Sequence, residues 1–259
     1  MKNKLPLSML ESLPLLEELH RDRILSERYS TESQIIKSAL NNLQKYLNTL
    51  ERLIQEGEET AVAELEQKYP PDAHEEFWAY FYPDHWQAVF VRYFRSSFVT
   101  TGIALGEHYL KQLCLDCQFI GQKEQNFVSV KGSSTVAKIR SYLMKEIGFQ
   151  QPEEKVWQKL QDLYVIRNAL VHAFDDVYSV QNSENLEQII KKYPSIKIKM
   201  MYRDDNFSWG DTSHFIIDIK PEFCVLLVDT VSECLNTLCG EMSRFCEQLY
   251  QIDDKASVG

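Results

Sequence analysis

The chain lacks any uninterrupted apolar run of the roughly 18 to 20 residues that a membrane-spanning helix requires. From Met1 to Arg23 the leucines are broken by Glu11, Glu17 and Glu18, so no apolar signal region forms there. A cytoplasmic protein without a membrane partner is therefore expected. A disulfide framework is missing as well. Six cysteines (Cys114, Cys117, Cys224, Cys234, Cys239 and Cys246) follow no repeated spacing in 259 residues, which points to reduced thiols. Cys114 and Cys117 stand close enough to share a metal. They lie inside a helical pattern, with no second pair and no imidazoles at zinc-ligand spacing, so core or surface thiols are expected and a zinc site is the alternative. Neither a metal nor a cofactor is called for. The sequence contains no internal repeat and no low-complexity segment.

Positive charge is also scarce. A net charge of -10 argues against broad affinity for nucleic acid, because like charge repels phosphate at long range. The deficit is uneven. Between Phe127 and Asp205 twelve Lys and Arg face ten Asp and Glu, so that stretch is +2 and the remainder -12. An anionic ligand is best received by the middle of the chain; an unevenly charged solvated surface is the alternative.

What the chain does have is apolar content, 44%, ample for a core, and helical periodicity through most of its length. Over Thr31–Glu66 the stripe Ile35, Ala39, Leu43, Tyr46, Leu50 and Ile54 predicts one long amphipathic helix, stopped by Pro70 and Pro71. The aromatic stretch Phe77–Trp86 reads as a packed connector. A second helix is expected over Trp86–Cys117, burying Phe94, Phe98, Leu105, Tyr109 and Leu113. Gly102 and Gly106, one turn apart, let a neighbouring backbone come close. Ser133 or Ser134 caps a third helix from Thr135 to Ile147, which Gly148 ends. Pro152 opens a fourth, Glu153 to Phe174, with Val156, Leu160, Leu163, Leu170 and Phe174 as its apolar face. Asp175 and Asp176 at its end call for something positive nearby. After the polar run Ser179–Glu187 and a short helix the period changes: Ile196–Met201 and His214–Ile219 alternate, with a turn over Asp204–Asp211, so a β-hairpin is expected. Helical spacing returns from Glu222 to Tyr250 through Val225, Val228, Leu235, Leu238, Met242 and Leu249.

One side chain breaks this order. Arg167 projects from the middle of the fourth helix's apolar stripe, where a lone charge costs several kcal/mol unless it is paired or faces a polar cleft. Next to it Asn168 and His172, four apart, share one flank of the helix. A cation, an amide and an imidazole thus surround a turn and a half. These types suit metal-free RNA cleavage by the 2′-hydroxyl. Histidine moves the proton near neutral pH, the arginine fork neutralises charge building on phosphorus, and asparagine orients one or the other.

Read as R-N-x-x-x-H, Arg167, Asn168 and His172 resemble the signature of HEPN domains (higher eukaryotes and prokaryotes nucleotide-binding). The resemblance covers Trp86–Phe174 well, Glu222–Tyr250 by architecture alone, and the first seventy residues not at all. It implies an up-and-down four-helix bundle over residues 85–259 in a mainly α fold, to which the pattern of residues adds the β-hairpin at about 196–219 before the last helix and residues 1–84 as a helical extension and connector. It implies that Arg167 and His172 are catalytic in an RNA endonuclease that works as a homodimer across the motif helix, with two motifs facing one cleft. It further suggests a toxin or antiphage effector restrained by a protein antitoxin or paired with a nucleotidyltransferase. The alternative is a non-catalytic HEPN module that binds nucleotide or protein. Glu107, on the second helix, either orients His172, pairs with Arg167 or is an ordinary exposed carboxylate. Lys131, Lys138, Arg140 and Lys145 either steer RNA or form a solvated face. His85 and His214 read as structural.

Overall fold

The computed structural model describes residues 18–25, 27, 29–76, 86, 90–172, 183–201 and 214–257. The connector from Phe77 to His85, the residues Phe174, Asp175 and Asp176, the polar run 179–182 and the hairpin turn lie outside them. The protein is mainly helical, as expected, and among the described residues two strands form one antiparallel hairpin. The order is α1 (Ser30–Lys68), α2 (Arg92–Ile120), α3 (Thr135–Ser141), a π-helical turn (Tyr142–Ile147), α4 (Glu154–His172), α5 (Ser183–Ile190), β1 (Ile196–Met201), β2 (His214–Ile219) and α6 (Pro221–Ser257). The chain gathers into two compact units, to which the long helices each contribute.

The first unit comprises Met1–Ala39, Glu107–Trp157 and Glu233–Gly259. The Ser134 hydroxyl accepts a bond from the Ala137 amide (3.1 Å) and caps α3, and Gly148 at φ 92° ends the π turn, both as the sequence suggested. Tyr29 adopts φ 60°, which a tyrosine rarely does. Its ring is fully buried, and its hydroxyl donates to Asp116 Oδ2 at 2.6 Å, which holds the conformation in place. Asp116 also accepts from Gln112 (2.8 Å). Burial nevertheless pushes the Asp116 carboxyl above its ordinary value, outweighing both hydrogen bonds.

The second unit comprises Leu40–Gly106 and Gln158–Ser232. On α2 the paired glycines permit a close approach. A Cβ on Gly102 would stand 2.6 Å from Leu227 Cδ2, and one on Gly106 3.2 Å from Val231 Cγ1, so α6 lies directly on this stretch of backbone. The Arg95 guanidinium grips both carboxylate oxygens of Glu51 on α1 (2.9 and 2.8 Å) and donates to the Ile219 carbonyl at the end of β2 (3.1 Å). Asp162, 3% exposed on α4, accepts from Lys192 Nζ (2.9 Å) and the Tyr193 hydroxyl (3.0 Å), holding the turn after α5. The strands pair from Ile196↔Ile219 to Met201↔His214, and Ile196, Ile216, Ile217 and Ile219 are buried.

Several expectations are corrected. The buried stripe of α1 is Ile36, Leu40, Leu43, Leu47, Leu50 and Ile54, whereas Ile35 and Tyr46 are exposed. The buried set alternates steps of four and three and keeps pace with the helical turn; the expected set steps by four too often and walks off the face. α2 starts at Arg92 and runs to Ile120, with Phe94 exposed and Leu105 and Tyr109 half-buried. Phe98 and Leu113 are buried as expected, and Gly102 and Gly106 lie on the same packed side. Val225 on α6 is exposed. Within α6, Pro221–Gln251 is long and apolar enough to cross a membrane by length and composition, although scattered charges interrupt it. Of its most apolar stretch 56% is buried inside the protein.

Gly102→Val should lower stability by about 1 to 3 kcal/mol, since the buried Leu227 cannot make room, and urea unfolding will read the loss. Asp116 binds its proton more tightly folded than unfolded. Its contribution to stability is therefore favourable at low pH and is lost as pH rises from the ordinary carboxylate range through the raised value. In Asp116→Asn that loss should vanish, so the urea midpoint of the variant should gain on wild type as pH rises above the ordinary carboxylate range of about 4.

Candidate functional site

The last turn and a half of α4 is where a core helix opens to solvent. Val156, Leu160, Leu163 and Tyr164 are buried, and at about 100° per residue they bracket the direction in which Arg167 leaves the helix. Arg167 is half-buried there. Its Nη1 donates to Asn168 Oδ1 at 2.9 Å, while its Nε is buried and has no hydrogen-bond partner among the described residues. Beyond it the environment changes. Asn168 and His172 are exposed, as is Val171 at 40%. In helical projection Arg167, Val171, Asn168 and His172 occupy one arc of about 140°, which is the open side of the turn. Arg167 and His172 sit at the two edges of that arc, and the bond to Asn168 draws the guanidinium toward the histidine side.

A cleft of about 380 Å³ runs along the other flank of the same turn. Its walls are Arg92, Tyr93, Ser96, Ser97, Thr100 and Thr101 of α2, Ala169, Leu170 and Val171 of α4, and Ile216 and Ile217 of β2. None of the three motif side chains lines it; the cleft and the motif arc meet at Val171. Sequence reasoning missed the polar wall, because it treated the start of α2 by its aromatic residues. The signal was present in the four-residue spacing of Arg92, Ser96 and Thr100 and of Ser97 and Thr101, which lays two polar rows along one face.

The other candidates fall elsewhere. Glu107 belongs to the first unit, is mostly covered, and forms an ion pair with Lys111 one turn on. Lys131 is exposed and Lys138 half-buried, its stem against Gly132, and Arg140 pairs with Glu154; all three are in the first unit, whereas the motif is in the second. His85 lies outside the described residues. His214 pairs opposite Met201 at the start of β2. All six cysteines are buried free thiols. Cys117 Sγ lies 3.4 Å from Met242 Sδ, and burial pushes the thiols of Cys224, Cys234 and Cys246 up to about 12.

No family model, no curated protein and no solved structure matches this chain.

The arrangement offers a cation hydrogen-bonded to an amide, with an exposed imidazole on the same open side of the helix, a set of types able to bind an anion and to move a proton. An arginine kept on an apolar arc with an unpartnered Nε works against stability. Arg167→Met, of similar length and no charge, should therefore leave thermal stability unchanged or raise it by about 1 kcal/mol, as calorimetry will show. A fall of several kcal/mol would mean that the guanidinium is a structural tie.

Proposed function

We propose that the chain is a metal-independent endoribonuclease of the HEPN type, built on a HEPN-like helical bundle and cleaving RNA by attack of a 2′-hydroxyl on the adjacent phosphorus. The observation that carries this reading is Arg167, a charge retained on an otherwise buried helical arc, with the exposed His172 and Asn168 on the same open side. His172 takes the proton from the 2′-hydroxyl, and O2′ attacks phosphorus. The bond to O5′ breaks, and a proton returns to that oxygen from the imidazole of a second copy. The products are a 2′,3′-cyclic phosphate and a free 5′-hydroxyl. Arg167 meets the non-bridging oxygens, where negative charge accumulates, and Asn168 holds the fork in register. Proton transfer by a placed imidazole is worth about 10²–10⁴ in rate.

Homodimerisation is part of the proposal. Val171, apolar and exposed between Arg167 and Asn168, suits a symmetric contact that brings two motif arcs to one substrate. The acidic balance fits an enzyme of narrow substrate choice or one restrained in the cytoplasm by a protein partner, as toxins and antiphage effectors are.

Purified protein incubated with total RNA in the presence of a chelator should yield fragments ending in 2′,3′-cyclic phosphate. His172→Ala should abolish the cleavage, and Arg167→Ala should reduce it by about 10²–10³ while circular dichroism stays unchanged. Cleavage that persists in His172→Ala, or that stops with chelator, would sink the mechanism. Absent cleavage with retained nucleotide or protein binding would favour the non-catalytic module.

A further inference from the structure

The cleft beside the motif has a lining unlike the rest of the chain. Among the described residues no Asp or Glu lines it; one arginine, the Tyr93 ring and four Ser and Thr hydroxyls do. Those hydroxyls stand on α2 in two rows, Ser96 with Thr100 and Ser97 with Thr101, each pair one turn apart. The Thr100 hydroxyl donates to the Ser96 carbonyl (2.9 Å). Ser97 and Thr101 are exposed and make no hydrogen bond among the described residues, so their hydroxyls are available to a ligand. The facing wall is apolar: Leu170 and Val171 of α4 with Ile216 and Ile217 of β2. Tyr93, under the Arg92 guanidinium at 4.7 Å, closes one end with an aromatic face.

A wall of hydroxyls opposite a wall of aliphatic carbons matches a nucleotide, whose sugar and phosphate are polar while its base presents flat apolar faces. The volume, about 380 Å³, is at the small end for ligand sites and suits one nucleotide, not a duplex. The cleft joins the motif arc at Val171. We propose that it is a subsite for one nucleotide of single-stranded RNA next to the scissile phosphate, with the ribose and phosphate on Ser96, Ser97, Thr101 and Arg92 and the base against Leu170, Ile216 and Ile217. This assignment rests on the ribonuclease reading of the adjoining motif.

The test uses a fluorescently labelled single-stranded RNA, with binding followed by anisotropy on the full chain carrying His172→Ala to prevent turnover. Ser97→Glu and Thr101→Glu, each placing a carboxylate in the cleft from an exposed position, should weaken binding about tenfold or more, and Ala104→Glu, exposed on the same helix outside the cleft lining, should stay within about threefold of the parent. With His172 intact, Ser97→Glu should raise KM and leave kcat nearly unchanged. Equal RNA affinity in both glutamate variants and their parent overturns the subsite, as does the absence of any binding by the parent. If wild type cleaves RNA and the glutamate variants bind and cleave as wild type does, the subsite falls alone. If wild type fails to cleave while the glutamate variants still lose affinity, the nuclease reading falls and the cleft stands as an RNA site. A change of oligomeric mass in place of RNA affinity assigns the cleft to a contact between copies and overturns the proposal.

Discussion

The second unit is organised by one guanidinium. Arg95, 13% exposed in its side chain, uses two nitrogens on the Glu51 carboxylate and a third on the Ile219 carbonyl, so α1, α2 and the end of β2 are joined through a single planar fork. The geometry matters because a hairpin of two strands is marginal unless something packs or ties it down. With Ile219 held, Ile216 and Ile217 come to rest opposite the polar face of α2, and the cleft beside the motif exists at all. On the next turns of the same helix, Gly102 and Gly106 admit Leu227 and Val231. A charge clamp at one end and backbone contact further along thus set where α2 lies.

Arg95 and Arg167 show two ways of placing a charge against a core. The first is fully answered by acceptors and is readily understood as structure. The second is answered at one nitrogen by its own neighbour, Asn168, and is left bare at Nε. A side chain that contradicts the pattern around it without a compensating contact is the usual mark of a site kept for function. That contrast, more than the motif's spelling, is why the proposal is centred on α4.

Much of this was readable beforehand, and the failures share a cause. Helix and strand types, the proline stop after α1, the Ser134 cap, the left-handed Gly148 and the hairpin all follow from local chemistry, and each stands where that chemistry puts it. Arg167 could be marked as out of place because its neighbours four and seven residues back are apolar. What periodicity could not resolve is phase. Ile35 and Ile36 are adjacent and equally apolar, and only tertiary packing decides that Ile36 faces inward. In the same way Phe94 and Phe98 are equally apolar and one turn apart, and only Phe98 faces inward. Glu51, Asp162 and the α2 hydroxyls are ordinary in sequence and gain meaning from partners thirty or more residues away.

The sulfur atoms have a consequence of their own. Every cysteine is sealed among core side chains, and burial holds the thiols in their protonated, unreactive form. Oxidants and alkylating reagents therefore meet them only when the packing around them parts, so the rate at which each is modified is a measure of how often that part of the interior breathes. Cys114, Cys117, Cys234, Cys239 and Cys246 report on one unit and Cys224 on the other, giving the chain separate built-in gauges of local opening.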